Sequence, residues 1–185
     1  MVLEMVLDTN VLVHASNTPP DLNKIYDKNS VYYHWCDASR FIDTFIREVR
    51  EKGKKIAICV DGIWDITDQG KNKSQIVFEY WEHVLRGSPE KLGKILLVTL
   101  AKNGLILTKP KWPNQRDKHF IERIIHSNKT DRIFVGVTCS TNKKTMISND
   151  ENDFPDKIRK VLRSQIKIDI HRSDEQEIIN RKYFS

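Results

Sequence analysis

Five short apolar runs rich in β-branched residues punctuate the chain, at residues 3–7, 56–60, 104–108, 145–148 and 166–170, with longer amphipathic stretches between them. Runs of that length and composition read as strands buried on both faces. In the first interval Phe41, Ile42, Phe45, Ile46 and Val49 fall at helical spacing within residues 37–51. Similar patterns predict helices at 74–86, 89–102, 114–126 and 154–163. Strands that alternate with helices return to the sheet by right-handed crossovers, which favours a mostly parallel sheet covered on both faces. The expected class is an α/β fold, a three-layer α/β/α sandwich, and 185 residues suit a single domain of that kind.

Composition narrows the partners. Lys and Arg (31) outnumber Asp and Glu (25), giving a net charge of +6 that suits a polyanion. A hydrophobic share of 39% with 30% charged residues excludes a disordered chain. Cys36, Cys59 and Cys139 stand far apart with no C-x-x-C pair. Neither a disulfide framework nor a zinc knuckle is written in that spacing, and a reducing, cytoplasmic setting is expected. Glu4 and Asp8 interrupt the apolar opening and no basic stretch precedes it. It therefore reads as part of the fold, not as a signal peptide or span, and no membrane partner is expected. Residues 16–35, rich in Pro, Asn and Asp, read as a long loop whose Tyr26, Tyr32, Tyr33 and Trp35 could stack on bases or pin the loop to the core.

In an open parallel sheet, ligands bind outside the carboxyl ends of the strands. Two of the predicted strands end in acid: LDTN delivers Asp8 with Thr9 and Asn10, and ISNDENDF delivers Asp150 and Asp153. Taken singly, either reads as a cap for the next helix; the two together ask for more. Glu79 lies beside the apolar face that Ile76, Val77, Tyr80 and Val84 define, where an acid is ordinarily solvated. Asp131 opens TDRIFVGVTCSTN, in which Ile133, Val135 and Val137 alternate as they would in a strand.

This combination resembles the PIN domain, the metal-dependent nuclease fold of toxin ribonucleases and RNA-processing factors. LDTNVLVHA (7–15) is similar to the family's first strand, with its leading acid and companion Asn. TDRIFVGVTCSTNKKTMISNDENDF (130–154) is similar to its helix, strand and acidic turn, and FEYW around Glu79 resembles the helix that carries the second acid. Asp61, Asp65 or Asp43 could take Glu79's place. The resemblance spans nearly the whole chain and implies five strands in the order 3-2-1-4-5. It also implies a helix at 132–140, against the β-branched content there, because the fold needs a crossover before strand four. By the same resemblance Asp8, Glu79, Asp131 and Asp150 are the catalytic acids and Asp153 a further metal ligand. Thr9 and Asn10 would hold the ligands or the attacking water. The chain departs from the family in its long loop after strand one and in DGIWDITDQG after strand two.

Converging carboxylates repel one another unless a divalent cation neutralises them. All-oxygen donors select a hard ion, Mg²⁺ or Mn²⁺, which can activate water and steady the departing oxygen of a phosphodiester. The implied activity is endonucleolytic hydrolysis, with single-stranded RNA favoured because a flexible strand brings its phosphate into a cleft more easily than a duplex. The alternative is a catalytically inactive PIN-like domain that binds RNA or a partner protein. The histidines at 14, 34, 83, 119, 126 and 171 lack ligand spacing, and none is assigned to catalysis. Lys71, Lys73, Lys109, Lys111 and Arg116 cluster near strand ends or before the Glu79 helix and are the expected contacts to a phosphate backbone. A second copy of the chain or an inhibitory protein completes the expected partners. A haloacid-dehalogenase-type phosphatase would need an acid where Asn10 stands, and no glycine-rich nucleotide motif is present.

Overall fold

The computed structural model describes residues 1–17, 21, 24–28, 30–65, 74–126 and 128–184. Strands β1 (Leu3–Leu7), β2 (Ile56–Val60), β3 (Ile106–Thr108), β4 (Thr145–Ile147) and β5 (Asp169–His171) form one parallel sheet in the order β3-β2-β1-β4-β5. The chain builds outward from β1 to β3, then returns to lay β4 on the other side of β1. That reversal opens a crevice between β1 and β4, the usual place for a ligand in such a sheet. Val6 pairs with Met146 and Leu7 with Ile147, so the next residues, Asp8 and Ser148, leave the sheet side by side.

The helices are α1 (Thr9–Ser16), α2 (Val31–Arg50), α3 (Gln75–Tyr80), α4 (Leu92–Lys102), α5 (Gln115–Ile124), α6 (Lys129–Cys139), α7 (Asp156–Ile166) and α8 (Gln176–Ile179). π-helical turns at Trp81–Leu85 and Asn180–Phe184 extend α3 and α8. Helices α1, α2 and α4 pack on one another, while α5 packs on α6 and α6 lies across β1, β2 and β4. Right-handed crossovers put these two groups on opposite faces, and the expected three-layer sandwich results. β1, β2 and β4 are buried almost throughout, as strands covered on both faces must be.

The structure settles the conflict at 132–140 in favour of a helix. Asn128 caps α6, its side chain accepting from Thr130 N at 2.9 Å. Ile133, Phe134, Val135 and Val137 are all buried, and a helix covered on every side shows no polar stripe to betray its period. Gly136 lets α6 approach the loop between β3 and α5, because a Cβ there would lie 2.1 Å from Lys111 O.

Elsewhere the pattern is corrected. The loop expected at 16–35 is shorter, since α1 runs to Ser16 and Ser30 caps α2 by accepting from Tyr32 N at 3.2 Å. Tyr32, Tyr33 and Trp35 are therefore helical; Tyr32 packs on Tyr26 and Trp35, and Tyr33 donates to Asp174 at 3.3 Å. The fifth strand begins later than expected because Ile166 closes α7, Lys167 takes a left-handed turn and Ile168 is buried before Asp169. The C-terminal α8 has no strong apolar period, yet Phe184 packs on Phe41 and Phe45, and Tyr183 donates to Glu4 O at 3.2 Å. No described helix is long and apolar enough to cross a membrane.

Candidate active site at the carboxyl edge of the sheet

Asp8 follows β1 directly and caps α1. Its Oδ1 accepts from Asn10 N at 3.4 Å, and its Oδ2 accepts from Asn10 Nδ2 at 2.9 Å and from the Ser148 hydroxyl at 2.6 Å. Ser148 Oγ accepts in turn from Asp150 N at 3.1 Å, so one buried hydroxyl ties the acids at the ends of β1 and β4 together. Asn10 completes the link by accepting from Asn149 N at 3.1 Å. Burial raises the Asp8 carboxyl to about 6; the Ser148 and Asn10 bonds oppose that shift and the Asp150 charge adds to it.

Asp150 shapes the turn after β4. Its Oδ1 accepts from the amides of Asn152 and Asp153, each at 2.9 Å. The buried guanidinium of Arg159, on α7, staples this turn from beneath by donating to Phe154 O at 2.5 Å, Ser148 O at 3.2 Å, and Asp150 O and Ile170 O at 3.4 Å. Four carbonyls held by one side chain make the turn a rigid platform.

Asp131 enters from the first turn of α6. It shares a hydrogen bond with Asp153, is buried, and leaves its Oδ2 without a hydrogen-bond partner among the described residues. Burial, then the charge of Asp8, then Asp153 and Asp150 raise its carboxyl to about 8. A hydrogen bond between two carboxyls requires a proton on one of them. The charges of Asp8, Asp150 and Asp153 thus all bear on the Asp131 carboxyl. Tyr80 of α3 donates to Leu7 O and packs on Phe134 of α6, fixing both helices against the end of β1.

The other expected residues divide. Thr9 lies beside Asp8 with its Oγ1 buried and without a partner among the described residues. Glu79 turns to His83 Nε2 at 3.4 Å and is not among the principal charges acting on Asp8 or Asp131. Of its substitutes, Asp43 pairs with Arg47 at 3.1 Å on α2, and Asp65 is exposed beside residues outside the described set. Asp61 is occupied in capping α3: burial works against its charge, but the Ser74 hydroxyl, the Ile76 and Gln75 amides and Lys111 hold it below the usual range. Lys109 pairs with Glu4 at 2.8 Å and Lys111 with Asp61 at 3.1 Å. Arg116 lies on α5, by the opposite edge of the sheet, while Lys71 and Lys73 lie outside the described residues.

Three residues at this edge were not foreseen from the sequence: Ser148, Arg159 and His14. His14 sits one turn beyond Asn10 on α1, with its Nδ1 buried and without a partner among the described residues and its ring 6.1 Å from that of His34. Burial and His34 lower its pKa, while Asp150 pulls it upward.

The donor set fits a hard divalent cation in kind: oxygens only, one of them buried without a partner. Among the described residues, no three His, Cys, Asp or Glu side chains already stand at ligand spacing around one point. The carboxylates would have to close onto an ion, as mutually repelling groups do when the repulsion is removed. No protein-family model, curated protein or solved structure matches the chain.

Proposed function

We propose that the chain is a metal-dependent endonuclease that hydrolyses phosphodiester bonds in single-stranded nucleic acid, RNA before DNA, in the cytoplasm. The site is the cup of Asp8, Asp131, Asp150 and Asp153, with Glu79 closing it by turning away from His83. One observation carries this reading: among the described residues Asp131 Oδ2 is buried without a donor while three other carboxylates act on the same side chain. Such an arrangement is costly in an empty fold, and a cation removes the cost.

When bound, Mg²⁺ or Mn²⁺ would neutralise the carboxylates, polarise the scissile phosphate and activate water. The chain's own side chains do the rest. Ser148 and Asn10 hold the Asp8 carboxylate in one orientation. Arg159 keeps the turn bearing Asp150 and Asp153 from yielding. Thr9 Oγ1, buried next to Asp8 with no partner among the described residues, is placed to hold the Asp8 carboxylate, and the charge of Asp150 acts on the His14 imidazole.

The alternative, a domain that binds nucleic acid or protein without cutting, draws on the pairing of Glu79 with His83 and on the open spacing of the acids. Fluorescently labelled single-stranded RNA and DNA incubated with the protein in Mn²⁺ separate the two. The expected result is cleavage that stops in EDTA and falls to background in Asp8→Asn and Asp150→Asn with the fold intact. A parent protein that cuts neither nucleic acid supports the binding-only reading. Variants that cut as well as the parent put the chemistry elsewhere.

A further inference from the structure

The edge of the sheet opposite the acids carries a second set of charges. A cleft of about 540 Å³ opens there between α5 and the starts of β4 and β5, lined by Arg116, Arg123, Lys144 and Lys167. Among the described residues no ion pair joins these four cations to an acid, whereas Lys109, Lys111 and Arg172 are held by Glu4, Asp61 and Glu151. The cleft's own acid, Asp117, is engaged at the start of α5, where its carboxylate accepts from Asn114 Nδ2 at 2.8 Å.

Two of the four cations stand on unusual backbone. Lys144 and Lys167 have φ of 47° and 62° and are, among the described residues, the two non-glycine positions with positive φ. Left-handed backbone is unfavourable for a residue with a Cβ, and glycine would serve both turns without strain. Lysine at both positions, on one cleft, points to a use for the side chains. Among the described residues their ammonium groups donate to carbonyls, Ile166 O at 3.5 Å and Ser164 O at 3.1 Å, contacts an anion can displace. Phe120 and Ile166 supply an apolar wall, with the Arg123 guanidinium 5.7 Å from the centre of the Phe120 ring. Cations beside an aromatic wall match a phosphate joined to a flat base, and the volume is in the range of small-molecule sites.

We infer that this cleft binds a nucleoside phosphate, either free or as one unit of a single strand. The inference holds whether or not the acid cup cuts. Calorimetric titration in EDTA, where the cup repels anions, tests it with adenosine monophosphate, adenosine, inorganic phosphate and a short single-stranded oligonucleotide. The expected result is binding of the monophosphate at least about tenfold tighter than adenosine or phosphate; binding of the oligonucleotide alone identifies the strand as the source. Lys144→Gly with Lys167→Gly removes two cations and relieves the strain, so affinity should fall about tenfold or more with no loss of thermal stability. Arg116→Gln, at an exposed position in the first turn of α5, should weaken binding with the fold untouched. The inference is overturned if neither nucleotide form binds, if phosphate alone binds as tightly, or if both variants bind like the parent.

Discussion

Replacing Asp131 by Asn should make the protein more stable at neutral pH, which is the reverse of what a substitution at a buried polar residue normally does. The Asp131 carboxyl is raised from 3.8 to about 8. A carboxyl raised on folding stabilises the protein most below its unfolded pKa, and that stability is lost as pH climbs through the window from 3.8 to about 8. At about 1.4 kcal/mol per pKa unit, the folded state gives up at most about 4 kcal/mol at pH 7 through this group. Asn recovers only part of this, about 2 kcal/mol, because its amide is still a polar group that must be buried. At this chain length that corresponds to a Tm higher by about 4–8 °C. Near pH 5 only the lower part of the window has been crossed, and the gain should shrink to under about 1 kcal/mol. Urea denaturation of parent and variant in EDTA, from pH 5 to 8, gives the difference directly. A variant less stable than the parent at pH 7, or a difference that does not change with pH, would refute the electrostatic account of this site.

Other substitutions probe the supports. Ser148→Ala removes the 2.6 Å bond to Asp8 and should lower stability by about 1–2 kcal/mol in denaturation while pushing the Asp8 carboxyl above its present value of about 6. Arg159→Met leaves several buried carbonyls without a donor; a loss of about 3 kcal/mol is expected, with faster amide exchange across 149–154. Gly136→Ala drives a Cβ to 2.1 Å from Lys111 O and should cost about 2–3 kcal/mol in thermal unfolding.

Much of the fold can be read from the sequence because its strands are short, apolar and widely spaced. β1 and β2 fall where the apolar runs place them, and Asp8 and Asp150 stand at strand ends because polar residues follow the runs directly. Asp131 is harder. Its helix is buried on all sides, so Ile133, Val135 and Val137 look like a strand, and only the family resemblance argued for a helix. What escapes the sequence is long-range. Ser148 meets Asp8 across 140 positions, and Arg159 acts on carbonyls of other segments. Lys109 and Lys111 looked free for phosphate because Glu4 and Asp61 are distant in sequence but adjacent in space. Neither pairing leaves a periodic trace.

The central claim is that the buried aspartates are arranged to receive a divalent cation. Mn²⁺ titration followed by electron paramagnetic resonance measures this without relying on a substrate. The account predicts saturable Mn²⁺ binding at pH 7.5, competed by Mg²⁺ and weakened at least about tenfold in both Asp8→Asn and Asp131→Asn, because each removes a ligand charge. A parent protein that binds no Mn²⁺, or variants that bind it as tightly as the parent, would contradict it.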